Sequence, residues 1–108
     1  VVKLVCGVVD GNGVRRILAA ESTPTLQNID DLALLAPEGS CDWGPEAEAC
    51  ESETTAKIIL SCVAKWDIAT VYARRYAEDV VSKLGTDQMW ILPLEEIEQW
   101  LTENRKVA

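Results

Sequence analysis

The sequence predicts an α+β fold, with a small antiparallel sheet of three to four strands at the N-terminal end and about three helices packed against it. Three observations carry that expectation. Val1–Val9 is apolar and β-branched, interrupted only by Lys3, and runs into Asp10-Gly11-Asn12-Gly13, a strong short-range hairpin signal. From about Ser52 the apolar residues switch to the i, i+3, i+4 spacing of a helix with one buried face. Across the 108 residues there is no repeat, low-complexity tract or long linker. Residues 1–108 therefore read as one domain, with 1–44 mostly strand and loop and 52–104 mostly helical.

Val2–Val9 and Val14–Ala20 read as the two arms of an antiparallel hairpin, the first buried on both faces. Glu21–Leu26 is a loop around Pro24. Asn28–Leu35 supports either a short helix or a third strand, and Pro37-Glu38-Gly39-Ser40 ends it with turn chemistry. Cys41-Asp42-Trp43 has the makings of a short edge strand closed by Gly44-Pro45, and Pro45–Glu53 is acidic and exposed.

The first helix takes Ser52 or Thr54 as N-cap and buries Ile58, Ile59, Cys62, Val63 and Trp66. Asp67 caps the second, whose stripe is Ile68, Val71, Tyr72, Tyr76, Val80, Val81 and Leu84, with Gly85 as a left-handed terminator. Met89–Leu92 is a short strand. Pro93 opens a third helix with Ile97, Trp100 and Leu101 inward, acids at its start and Arg105 and Lys106 at its tail.

Within that framework a set of residues resembles a known pattern. Asp42-Trp43-Gly44, an Ala-rich apolar helix, an Asp break, a helix bearing Tyr72, Tyr76 and Val80-Val81, then Trp90-x-Leu92 and Ile97-x-x-Trp100-Leu101 are similar to a small uncharacterised domain family of bacteria, archaea and their phages. The resemblance covers Asp42–Leu101, and Pro45-Glu46-Ala47-Glu48-Ala49 stands where that family carries a glycine-rich stretch. The family has no established activity, so the resemblance implies a fold and supplies no catalytic residues.

Charge is the most pronounced functional feature. The formal net charge is −8, and no Lys or Arg occurs between Arg16 and Lys57. That interval holds Glu21, Asp30, Asp31, Glu38, Asp42, Glu46, Glu48, Glu51 and Glu53, while the rest of the chain is nearly balanced. A one-sided field of this sign repels nucleic acid and steers basic partners. Arg15, Arg16, Lys65, Arg74, Arg75 and Lys83 are interspersed with Asp67, Glu78 and Asp79, so direct nucleic-acid binding is not expected. The expected binding residues are Asp42, Glu46, Glu48, Glu51 and Glu53, engaging a basic protein. A phage or prophage context suits such a protein, because an acidic surface can occupy a nucleic-acid channel.

Several chemistries find no support. There is no His, which removes Ser–His and Cys–His nucleophile pairs. Gly7-x-x-x-Gly11-x-Gly13 departs from both the dinucleotide and P-loop fingerprints and leads into a strand, so it reads as a hairpin turn. The acidic run lacks the spacing of a calcium loop. Cys6, Cys41, Cys50 and Cys62 lack zinc spacing and read as thiols, with Cys6 and Cys62 in the core and Cys41 and Cys50 exposed. No catalytic residue, metal or cofactor is assigned. No apolar run is long enough for a bilayer and no signal peptide is recognised, so a cytoplasmic location is expected. Four Trp exceed the needs of a core this small, and self-assembly as a two-fold dimer is the alternative expectation. A small ligand-binding domain or enzyme with a pocket between sheet and helices is the other.

Overall fold

A computed structural model describes residues 3–9, 13–22, 32–35, 41–85 and 89–107. The fold is α+β, as the sequence predicts. Strands β1 (Leu4–Val9), β2 (Arg15–Ala20), β3 (Ala33–Leu34) and β4 (Trp90–Pro93) form one antiparallel sheet in the order β3-β2-β1-β4. Helices α1 (Ala49–Ser61) and α2 (Trp66–Asp79), followed by a short 3-10 turn at Val81–Lys83, come between β3 and β4, and α3 (Leu94–Val107) ends the chain.

The hairpin has β1 and β2 in full register, Leu4 opposite Ala20 and Val9 opposite Arg15. Of its turn only Gly13 is described, at φ 81°, the left-handed backbone a hairpin corner takes up most readily with glycine. The expected turn residues Asp10–Asn12, the loop at Pro24, residues 28–31 and the Pro37–Ser40 turn lie outside the described residues. The open choice for Asn28–Leu35 resolves in favour of a strand over Ala33–Leu34, two residues long and exposed at the sheet edge.

β1 is buried on both faces, as its apolar run requires. On one face Val5, with Ile17 of β2 and Trp90 of β4, joins the main core with Ala56, Ile59 and Leu60 of α1, Ala69, Ala73, Tyr76 and Ala77 of α2, and Ile97 of α3. On the other, Cys6, Val8, Leu18 and Ala20 form a second buried cluster flanked by Leu4, Leu32 and Ile91. Gly7 faces Trp90 across the β1–β4 ladder, and a Cβ there would overlap indole atoms Cε2, Cζ2 and Nε1. Glycine is the residue that lets this ring lie flat on the strand.

Several local expectations are corrected. α1 begins at Ala49 with Glu48 at its N-cap, so neither Ser52 nor Thr54 caps it; Ser52 is buried within the helix. α2 is capped by the extended residue Lys65, and Asp67 sits in its first turn, where its carboxylate accepts the Ile68 N–H at 2.9 Å. The buried face of α2 is the alanine row Ala69, Ala73 and Ala77 with Tyr76, while Val71 is 74% exposed. Small residues there let α1 and α2 approach closely. Trp66, expected inside, is 58% exposed. Gly85 does not adopt positive φ, because the preceding turn runs out through extended Leu84 instead of a left-handed terminator. Cys41-Asp42-Trp43 forms no strand and Cys41 is buried, not exposed. None of the four cysteines is in a disulfide.

Candidate functional site

Among the acids expected to bind, Asp42 is committed to the fold. Asp42 Oδ1 lies 2.8 Å from Arg15 Nε and accepts the Trp43 N–H at 2.8 Å. The Asp42 N–H donates to Thr55 Oγ1 at 3.1 Å, and that hydroxyl is within reach of the Asp42 carbonyl at 2.6 Å and the Glu51 carbonyl at 3.0 Å. Thr55 is fully buried, so this exchange of bonds ties the incoming loop to the middle of α1.

Trp43 carries the tie further. Its indole N–H donates to the Gly85 carbonyl at 3.1 Å, its ring meets Trp90 edge-on at 5.2 Å between centroids, and the Arg15 guanidinium lies 4.8 Å from its centroid. Gly44, at φ 95°, donates its N–H to the Val81 carbonyl at 2.9 Å. One tripeptide thus joins β2, α1, the 3-10 turn and β4. The indole N–H and the ring face find partners on opposite sides, as a buried Trp requires.

From this anchor the chain turns outward. Glu46, Glu48 and Glu51 are exposed, and among the described residues none is in an ion pair. Glu53, partly buried, lines a cleft of about 300 Å³ with Gly44, Pro45, Ala47, Ala49 and Ser52 from the loop and α1, and with Arg74, Ala77, Glu78 and Ser82 from α2 and the turn. Its walls are small and apolar, and its polar groups are two hydroxyls, two carboxylates and one guanidinium. Arg74 and Glu78 approach to 3.7 Å at high exposure, a pair worth little in water.

The structure therefore places Glu46 and Glu48 in the loop before α1 and Glu51 and Glu53 in its first turns, and withdraws Asp42 into an internal role. Sequence reasoning missed Arg15, Thr55 and Trp43 as the tie, and Arg74, Ala77 and Glu78 as the far wall of the cleft. The alternation Pro45-Glu46-Ala47-Glu48-Ala49 held the available signal, since small residues between acids can line a groove while the acids stay outside.

Elsewhere, among the described residues no group of three or more His, Cys, Asp or Glu could hold a metal ion. Burial raises the buried Cys6 thiol and the partly buried Cys62 thiol above their usual range, which lowers the thiolate fraction of each. Burial, then the Glu96 carboxylate and Cys62, push the Tyr76 phenol up as well. Tyr76 stacks edge-on with Trp100 at 4.8 Å, and the Trp100 indole N–H donates to Asp79 Oδ2 at 3.3 Å. Of the four Trp, 43 and 90 are buried and 100 is partly so, and only Trp66 stands open. Among the described residues no helix is long and apolar enough to cross a membrane.

No curated protein and no solved structure matches the chain. A family model does, over residues 7–103, which carries the resemblance read in Asp42–Leu101 back through the hairpin. The cleft, the acidic edge and the Asp42–Trp43–Gly44 tie all lie within that span, and the chain belongs to a family of unknown function, DUF6166.

Proposed function

We propose that this protein is a non-catalytic interaction module whose acidic edge, Glu46, Glu48, Glu51 and Glu53, engages a basic protein. The observation that carries the reading is the state of the first three side chains. They are exposed, close in sequence and without a cation of their own, while Asp42 in the same interval is neutralised by Arg15. Unpaired carboxylates grouped on one side raise the association rate of a cationic partner and make capture sensitive to salt. A cytoplasmic setting and a partner with a basic nucleic-acid channel, as a phage-borne protein would meet, belong to the same reading.

The test is affinity capture from lysate at low and high salt with mass determination of what elutes, repeated with Glu46→Lys, Glu48→Lys and Glu51→Lys combined. A basic partner is retained at low salt, released at high salt and lost with the charge reversal. Capture indifferent to both salt and reversal overturns the reading.

A second reading, self-association through α2, has one specific support: Trp66 at 58% and Val71 at 74% exposure. Light scattering decides it, since a dimer mass that reverts to monomer with Trp66→Ser supports it and a monomer at high concentration removes it.

A further inference from the structure

We infer that the cleft between the loop 44–49, α1 and α2 receives one cationic side chain, Lys or Arg, of an extended basic segment of the partner. This deepens the acidic-edge reading and rests on it. At about 300 Å³ the cleft lies at the lower end of the ~300–1,000 Å³ typical of small-molecule pockets, the scale of a single long side chain.

Its chemistry is amphipathic in the way such a side chain is. Pro45, Ala47, Ala49 and Ala77 give apolar walls for a methylene stem. Glu53 and Glu78 supply carboxylates for the head group, and among the described residues Glu78 has as its ion pair the loose, exposed contact with Arg74. Ser52 adds an independent sign. It is 7% exposed and lines the cleft, and among the described residues its hydroxyl has no hydrogen-bond partner. Thr54, Thr55 and Ser82 each lie within bonding distance of the carbonyl four residues back. An unpartnered hydroxyl at the wall of a cleft can accept from, or donate to, the polar head of a side chain that enters it.

The sign of the ligand follows from the balance of charge. Arg74 and the start of α1, worth about half a positive charge, favour an anion. Against them, Glu53 and Glu78 line the cleft; of the charged residues next in the chain to a lining residue, Glu46, Glu48, Glu51 and Asp79 are acidic and Arg75 and Lys83 are basic. Six carboxylates outweigh three cations and the helix terminus, so a carboxylate or phosphate is repelled and an ammonium or guanidinium drawn in.

The experiment titrates fluorescein-labelled nona-arginine into the full chain at ~50 mM salt, reading anisotropy and the amide shifts of Ser52 and Ala77. Ala47→Trp and Ala49→Trp each fill the cleft and leave the charge unchanged; circular dichroism checks the fold, and the exposed position 49 serves if 47 does not tolerate the ring. Excluding a stem of about two buried methylenes weakens binding about tenfold, and the Ser52 and Ala77 shifts disappear. Cleft-filling variants that bind like the parent, while the Glu46, Glu48 and Glu51 reversal abolishes binding, overturn this inference and leave the acidic edge standing. A parent chain that does not bind the peptide at all overturns both.

Discussion

At the scale of single residues, Gly7 has the least freedom to change. The Trp90 indole occupies the space a Cβ would need, and Trp90 in turn props Trp43, which holds the loop to the site. Gly7→Ala must displace a buried ring, an overpacking penalty of about 1–3 kcal/mol. Thermal unfolding reads it as a loss of roughly 5–10 °C in Tm; an unchanged Tm means the ring does not lie where described. Thr55→Val is the complementary case, because it keeps the shape and removes the hydroxyl that answers Asp42. A part-buried N–H then loses its partner at about 1 kcal/mol, seen in the urea midpoint, whereas Thr55→Ser retains most of the stability. Neither position stands out in the sequence. Thr55 carries no signal there, and Gly7 reads only as part of a weak glycine pattern, since their partners lie far along the chain.

At the scale of elements, α2 lacks a side-chain cap: Lys65 stands at its N-cap in extended backbone with no hydrogen bond from its side chain. Lys65→Ser supplies an acceptor for the first free N–H groups and adds about 0.5–1 kcal/mol, raising the urea midpoint with an unchanged m-value. A midpoint that does not rise rejects this assignment of the helix start. Strands β1, β2 and β4 and all three helices were legible, because run length, period and turn residues agree there. The errors cluster at element ends and at α2. Its apolar residues suggested a stripe through Val71, but packing against α1 selected the smaller Ala69, Ala73 and Ala77, and volume decides close helix approach. Cys41–Trp43 looked like a strand because aromatic and β-like residues also suit a buried loop that is satisfied by side-chain bonds.

At the scale of the whole molecule, stability responds to alkali. Cys6, Cys62 and Tyr76 all have folded-state pKa values raised by burial, so the native chain holds protons that the unfolded chain releases. Their contribution is fully present below the unfolded pKa values and is lost as pH rises. Urea unfolding at a series of pH values then shows a decline beginning near pH 9 and steepening beyond about pH 10, and Tyr76→Phe removes part of the steeper phase. Constant stability through that window contradicts the burial of these groups. The candidate site was half legible at this scale. The base-free interval pointed to Glu46–Glu53 through charge alone, but the far wall of the cleft comes from Arg74, Ala77 and Glu78, brought there by the return of α2 along α1. No local pattern announces that.

The strand order has a consequence for how the chain assembles and comes apart. β1 lies in the interior of the sheet, with its sequence neighbour β2 on one side and β4, from the far end of the chain, on the other. Hairpin and helix pair close through nearby contacts, but the second edge of β1 stays vacant until residues 90–93 arrive, and Trp90 is then the piece that covers Gly7 and buttresses Trp43. A cut anywhere between α1 and α2 leaves two fragments, each holding half of an unfinished interface, one with an unpaired strand and the other with the strand that pairs it. Such halves have reason to find each other again, which makes the turn at 62–65 a natural seam for dividing the molecule without destroying the information that rebuilds it.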